Sequence, residues 1–367
     1  MNLMIRSVCL SAHLDSFCTR INEMLGGCFK FVYATDDPGA MRRQVGWRVD
    51  AAYKHVQDSD SAREESKSVD LLIDMLREIN LFETRCKANL PTYYWCERWF
   101  KPIHGLPGWI RLFVPSYWKM ARRFAKLMDN ENFYLLPCGV HAVRDFVRIH
   151  DFFHGRWWRV WREPKNAIEC VLGGRVEGFP RMKLWAYFVA PSSTKATEDK
   201  PSDGTLKILW AGRMIRWKRV DVLIKAVRRV VESGRRKVKL TLVGEGPERT
   251  RLEKLAGGVD YITFNSYVKN DELRKMMHKY DVYVMPSNGE EGWGAAVSEA
   301  LAEGCNVIST YEAGSSATLL DDGSLYSANS VRDLAMRLMD FQREKVDFDP
   351  SKWSGEYGAK IFMEVAK

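Results

Sequence analysis

Along this chain, short apolar runs alternate with stretches in which apolar residues recur every three or four positions, the pattern of strands interleaved with amphipathic helices. In the first half, residues 3–10, 29–34, 71–76, 92–95 and 133–137 predict strands, and 15–25 predicts a helix between the first two. Residues 58–67 (DSDSAREESK) are polar and mixed in charge, which predicts a loop or an exposed helix start. A stretch rich in Pro, Ser, Thr and Lys over 191–204 interrupts all periodicity and predicts an interdomain linker. Beyond it the alternation is cleaner. Strands are predicted at 207–211, 238–243, near Tyr261, and at 282–285 and 306–309; helices at 220–232, 248–255, 271–278 and 331–341, with a further helix after a glycine turn near 292. Strands and helices taking turns in this way predict a doubly wound α/β architecture.

Length turns one such fold into two. With 367 residues the chain exceeds the size at which a single core usually splits, so the pattern divides into a first domain over 1–190, a linker over 191–205 and a second domain over 206–350. The last segment, 351–367, spaces Trp353, Tyr357, Ile361, Phe362 and Val365 as a packed helix would. A hydrophobic share of 46% and 13 tryptophans supply packed cores and argue against disorder. The eight cysteines contain no close CxxC pair, so they predict reduced thiols of a cytoplasmic protein and neither a zinc site nor a dithiol redox motif. Arg6 breaks the apolar start, and no run approaches the ~18 apolar residues of a spanning helix.

The net charge of +9 is uneven, roughly +7 of it lying in the first 200 residues, which points to an anionic partner for that half. The sharpest local case is 108–128, where Trp109, Phe113, Tyr117, Trp118, Phe124 and Met128 interleave with Arg111, Lys119, Arg122, Arg123 and Lys126. From Ser116 as N-cap, positions 117, 121, 124, 125 and 128 form an apolar stripe, with a basic face opposite. Two readings stand: a helix lying on anionic lipid, or a core-packed helix with a solvated basic face.

The candidate chemistry is concentrated in the second half. In 290–304 (EEGWGAAVSEALAEG), Glu291 and Glu299 stand eight positions apart across a turn containing Gly292, Trp293 and Gly294. A strand precedes the turn and a helix follows it, so backbone amides converge there at a helix N-terminus, a seat for phosphate or sugar oxygens. At 208–221 a strand ends at Gly212, Arg213 follows at once, and Lys218 comes five positions later before a helix; both cations can reach a diphosphate at the strand's carboxyl end. Around 242–248, Gly244 and Gly246 offer close backbone approach between strand and helix. This is no dinucleotide fingerprint, because position 249 is Arg where a third glycine would stand.

In order and spacing, the strand ending in Gly212–Arg213, the lysine five steps on, VGEGPE, MPSNGEEGWG, SEALAEG and NVIST resemble the donor-binding domain of glycosyltransferase family 4, with its E-x7-E signature, over about 206–338. In the first half, Ser11-Ala12-His13, RQVGW at 43–47 and YYWCERWFK at 93–101 resemble the acceptor domain of bacterial capsular and exopolysaccharide members. The resemblance implies a GT-B fold of two Rossmann-like domains facing across a cleft, with the final helix crossing back to the first domain. It implies a retaining transferase that moves a sugar from a UDP- or GDP-sugar to a glycan or lipid-linked saccharide in cell-surface polysaccharide synthesis. Such an enzyme would be cytoplasmic, peripheral on the inner face of the membrane, with no metal, no further cofactor and no nucleic-acid partner. Arg213, Lys218 and Glu291 would be catalytic; Gly212, Gly244, Gly246, Gly292, Trp293, Gly294 and Glu299 would bind the donor. His13, Glu97 and Arg98 are the acceptor-side candidates, and Glu97 and Arg98 are also placed to pair with each other. Trp109, Trp118, Lys119, Arg122, Arg123 and Lys126 are the membrane-contact candidates.

The sequence departs from the family pattern at Ala317, where an acidic residue is usual, near Ser266, where a glycine is common, and at Glu97-Arg98, where many members carry His-Asp. His141, His150 and His154 are read as structural. Two other classes stay open: a nucleotide-sugar 2-epimerase of similar two-domain build, and a non-catalytic basic protein that binds membrane or nucleic acid.

Overall fold

The structure is a computed structural model, and it describes residues 1–7, 11–34, 53–57, 59–102, 106–156, 168–189 and 204–366. The 43–47 motif and nearly all of the 191–205 segment lie outside the described residues. The chain divides into two compact units, one made of Met1–Ala190 with Ser351–Lys367 and the other of Pro191–Pro350.

The first unit is a parallel six-stranded sheet built from β1 (Leu3–Ser7), β2 (Phe29–Ala34), β3 (Lys54–Gln57), β4 (Leu71–Asp74), β5 (Thr92–Cys96) and β6 (Phe133–Pro137), in the order β3-β2-β1-β4-β5-β6. Its central strands are buried at every position, as expected of a sheet covered on both faces. The connecting helices are α1 (Ala12–Met24), α2 (Ser59–Ser66), α3 (Ile79–Lys87), α4 (Pro115–Asp129) and α5 (Val140–Phe153).

The polar 58–67 segment is thus largely helix, and three elements escape the periodicity argument. The edge strand β3 and the nine-residue α3 are too short to show a period. Helix α5 buries His141, Arg144, Asp145 and Asp151 beside its apolar residues, which blurs its stripe. Helix α4 begins at Pro115, which is favoured at a first helical position, so Ser116 lies inside the first turn and is not the cap. Its stripe of Ala121, Phe124, Ala125 and Met128 is buried in the core, where Phe124 meets Phe82, Trp99 and Phe146. The core-packed reading of this stripe is the one the fold realises.

The second unit repeats the plan. Its strands β7 (Leu206–Ala211), β8 (Val238–Val243), β9 (Ile262–Asn265), β10 (Val282–Met285), β11 (Asn306–Thr310) and β12 (Leu325–Tyr326) form a parallel sheet ordered β12-β11-β10-β7-β8-β9. Counted from its own first strand this is the same 3-2-1-4-5-6 order as in the first unit, with the chain reversing direction across the sheet between β7 and β10. Alternate residues of each strand serve different cores. Ile208, Trp210, Leu240, Leu242, Val282 and Val284 join one cluster, and Leu209, Ala211, Val243, Tyr283 and Met285 the other. Helices α6 (Val220–Glu232), α7 (Arg249–Ala256), α8 (Asn270–Met277), α9 (Ala295–Ala302), α10 (Gly314–Leu319) and α11 (Val331–Asp340) cover the sheet. Of these only the six-residue α10, like the two-residue β12, left no legible pattern in the sequence.

After α11 the chain returns to the first unit as helix α12 (Gly355–Val365), capped by Ser354, whose hydroxyl accepts from the Tyr357 amide at 3.2 Å. It packs on α1 so closely that a Cβ on Gly355 would stand 2.4 Å from the Phe17 amide nitrogen, and one on Gly358 would stand 2.3 Å from the buried Phe188 ring. Neither obstacle is a mobile side-chain end. Gly355→Ala is therefore expected to lower stability by ~1–3 kcal/mol, read as a fall in melting temperature, whereas alanine at Gly26 meets no atom within 4 Å and costs only what its φ of +57° imposes.

Candidate functional site

In a doubly wound sheet the crevice forms where strand order reverses, at the carboxyl ends of the two strands that flank the switch. In the second unit these are β7 and β10, and the loops that follow them carry Arg213, Lys218 and Glu291. After β7 the chain passes Gly212, enters a 3-10 turn over Arg216–Lys218, and reaches α6 through Arg219 in the left-handed region at φ 49°. The Asn288 amide donates to the Trp217 carbonyl at 2.9 Å, which ties the two loops together. Lys218 Nζ then donates to Glu291 Oε2 at 2.5 Å, both side chains being largely shielded. Two residues nominated separately from sequence are thus direct partners. Arg213 is exposed and makes no ion pair among the described residues, so it is a cation still available to a ligand.

The glycines have distinct reasons. Gly294 sits at the N-cap of α9 with φ 79°, and a Cβ there would come within 2.8 Å of Met285 Cε. The carbonyls of Gly292 and Trp293 accept from the amides of Gly314 and Ser315 at 3.0 and 2.8 Å, and the Gly294 carbonyl accepts from Ser315 Oγ at 2.9 Å. The start of α10 therefore holds the turn through its three carbonyls. Trp293 is 1% exposed, so only its backbone can serve a donor site.

For Gly244 and Gly246 the reading of close approach to a ligand is corrected. A Cβ on Gly244 would lie 2.0 Å from the Gly212 carbonyl oxygen, and one on Gly246 would lie 2.3 Å from that of Met214. The loop after β8 needs these glycines to pack against the loop after β7, where the Gly212 amide donates to Val243 and the Met214 amide to Glu245. They hold the Arg213 loop in shape.

Glu299 lies in the second turn of α9 and is 7% exposed. It accepts from Asn270 Nδ2 at 2.9 Å, a partner at the start of α8 that sequence reading did not single out. Beneath the site the Tyr283 hydroxyl donates to the Ala211 carbonyl at 3.0 Å; burial, then the nearby Glu299, pushes its phenol far up, so it remains a neutral donor. A separate cavity of about 1040 Å³, lined by Asn306, Asp321, Asp333 and Asp340 among others, shares none of these residues.

In the first unit, His13 lies in the first turn of α1, with Nδ1 3.1 Å from the Phe188 carbonyl oxygen. Glu97 and Arg98 each have an ion-pair partner other than the neighbour expected from sequence. Glu97 accepts from Lys101 at 2.8 Å, while Arg98 turns to the buried Asp145 at 3.8 Å, because successive residues point to opposite sides of the extended chain. Both line a cavity of about 630 Å³ over the carboxyl ends of β4 and β5, together with Arg77, Trp99, Lys101, Arg111 and Tyr117.

Of the membrane candidates, Trp118, Lys119, Arg122 and Lys126 are exposed and Trp109 is half-buried. Arg123 is corrected: it donates to both Glu83 oxygens at 2.8 and 2.7 Å and so belongs to the α3–α4 packing. His150, in the last turn of α5, and His154, its C-cap, converge on Asp129 at 3.0 and 2.9 Å, a grouping of potential ligands that sequence spacing does not reveal because Asp129 lies on α4.

Residues 205–342 match the family model described as glycosyl transferases group 1. Among curated proteins, the chain is 35% identical over 105 residues to the 2-deoxystreptamine glucosyltransferase of Streptomyces kanamyceticus, covering 28% of this chain and 27% of that one. It is 33% identical over 156 residues to an uncharacterised glycosyltransferase of Methanocaldococcus jannaschii, covering 41% and 37%. The chain thus spans between a quarter and two fifths of the length of these relatives. Among solved structures, Anabaena HepE in complex with UDP aligns over 100% of this chain and 99% of its own at a TM-score of 0.65 and 14% identity. The lipopolysaccharide outer core galactosyltransferase WaaB, in its apo form, aligns over 100% and 99% at a TM-score of 0.65 and 11% identity. These likenesses show the fold, the two-unit α/β class known as GT-B.

Proposed function

We propose that this protein is a retaining glycosyltransferase that moves a sugar from a nucleotide diphosphate to a hydroxyl of a glycan or lipid-linked saccharide, in cell-surface polysaccharide synthesis. The observation that carries the reading is the meeting of Lys218 and Glu291 at the β7–β10 switch point, with Arg213 exposed on the same loop as Lys218 and Glu299 on the helix that follows Glu291. A diphosphate entering there would draw Lys218 toward its own oxygens, and the Glu291 carboxylate would accept from sugar hydroxyls. Glu299 would accept from the ribose diol. As the bond between the anomeric carbon and the diphosphate breaks, Arg213 and Lys218 stabilise the charge that builds on the leaving phosphate. The acceptor oxygen forms its bond to the same face of that carbon, and its proton passes to the departing phosphate oxygen. The ring left electron-poor in between lies near Glu291, which stabilises it. The relatives named as glycosyltransferases and the UDP bound to HepE support this reading.

The test is mass-spectrometric detection of transfer from UDP-, GDP- and ADP-sugars to a panel of saccharide acceptors, with NMR of the products to read anomeric configuration and epimerisation. An acceptor longer by one sugar, with its anomeric configuration kept, is the expected product. An isomerised nucleotide sugar formed without acceptor would replace transfer by epimerisation.

The reading extends to a membrane surface. Leu106, Phe113 and Val114 are 57, 78 and 48% exposed, and Trp118 is 37% exposed, forming an apolar rim beside the basic residues Lys119, Arg122 and Lys126. Each cation near an anionic surface contributes ~1 kcal/mol. Replacing these three by Gln is expected to weaken co-sedimentation with phosphatidylglycerol vesicles by roughly two orders of magnitude or more, with neutral vesicles as the control. Retained binding would remove the membrane from the account.

A further inference from the structure

The cavity over β4 and β5 has a charge pattern that the donor site does not use. Two of its acids are already matched. Glu97 holds Lys101, and the buried Asp145 beneath accepts from the Trp99 and Phe100 amides at 2.9 and 2.8 Å and faces Arg98. Burial raises the Asp145 carboxyl, and Arg98 and the two amides pull it back.

Arg77 and Arg111 remain, neither in an ion pair among the described residues. Both are held by aromatic rings. The Arg77 guanidinium lies 5.0 Å from the centre of the Trp99 ring and donates through Nε to the Tyr94 hydroxyl at 3.2 Å. That of Arg111 lies 5.6 Å from the Tyr117 ring and donates to the Trp99 carbonyl at 3.2 Å. Arg77 also keeps a left-handed backbone at φ 58°, an unfavourable conformation for an arginine. Two uncompensated guanidiniums, stacked and pre-oriented in one cavity, match a dianion, since a single carboxylate needs only one of them.

We propose that this cavity binds a phosphate group of the acceptor, which makes the acceptor a phosphorylated or diphosphate-linked saccharide. The inference rests on the glycosyltransferase reading and names the class of its second substrate. A lipid diphosphate and a soluble sugar phosphate present the same chemistry to Arg77 and Arg111, and the apolar rim of Leu106, Phe113 and Val114 follows directly in sequence from this wall. Glu97 competes with the ligand for the local positive charge, so its removal has the opposite effect to removal of an arginine.

The test is calorimetric titration of the full chain, with and without saturating UDP, using geranyl diphosphate, glucose 6-phosphate and glucose as probes at fixed ionic strength. At least one phosphorylated probe should bind in the presence of UDP and glucose should not; the probe that binds tells a lipid source from a soluble one. Arg77→Gln and Arg111→Gln should each weaken binding about tenfold or more, and Glu97→Gln should tighten it severalfold. A misfolded variant cannot produce that gain. The proposal is overturned if neither phosphorylated probe binds, or if binding ignores both arginine substitutions, or if Glu97→Gln weakens it. UDP binding to the wild-type chain reports the donor reading separately: its absence undermines that reading whatever the cavity does, and its presence without probe binding removes only the cavity proposal.

Discussion

Lys218→Ala is expected to lower kcat/KM for sugar transfer by about 10²–10³, the usual loss when one pre-positioned charge is taken from a developing oxyanion. The geometry makes the substitution informative in a second way. It removes the cation and also withdraws the Lys218 charge from beside Glu291, whose carboxylate then acts on the incoming diphosphate unscreened by that lysine. Most of the loss should appear in kcat, because the charge on the leaving phosphate grows along the reaction path. The double variant Lys218→Ala with Glu291→Gln separates the two effects: if repulsion between the Glu291 carboxylate and the diphosphate contributes, donor KM recovers in the double variant while kcat stays low. A Lys218→Ala enzyme with unchanged kcat would show that the lysine is merely the salt-bridge partner of Glu291.

Glu299→Ala should act on the other side of the same division. Its carboxylate is 7% exposed, on the second turn of a helix, and accepts from Asn270. In the proposed function it accepts from the ribose and has no part in the bonds that change. Hydrogen bonds to a charged group contribute ~1.5–3 kcal/mol each, so donor KM should rise between tenfold and a few hundredfold with kcat changed much less. Steady-state kinetics at varied donor, with melting temperature as the control for folding, read this. A loss confined to kcat would place Glu299 nearer the chemistry than the account allows.

The contrast between the two units shows what a single sequence makes legible. In the second unit the strands alternate residues between two cores, the longer helices carry clear stripes, and Arg213, Lys218 and Glu291 stand in short loops after β7 and β10. Order and spacing along the chain therefore stood in for proximity, and Lys218 and Glu291 could be nominated before their contact was seen. Even there the physical reason was misplaced for Gly244 and Gly246, because what a glycine admits is decided by the neighbouring loop, here the carbonyls of Gly212 and Met214. In the first unit helix α5 carries buried charge, and the cavity is assembled from Arg77, Glu97, Arg98 and Arg111 on three separate segments. No local spacing reports such a meeting. The same holds for Arg123, which looked like part of a basic face and is held by Glu83, a residue forty positions earlier.

The central claim is that the β7–β10 switch point of the second unit recognises the diphosphate of a nucleotide through Arg213 and Lys218. Calorimetric titration of UDP and of uridine, with GDP and guanosine in parallel, into the wild-type chain and into an Arg213→Ala, Lys218→Ala double variant tests this most directly. The account predicts that one nucleoside diphosphate binds at least a hundredfold more tightly than its nucleoside, about 2.7 kcal/mol or more, and that the double variant abolishes this difference while keeping the weak nucleoside affinity. Equal affinity for nucleoside and diphosphate, or a diphosphate preference that survives in the double variant, would contradict it.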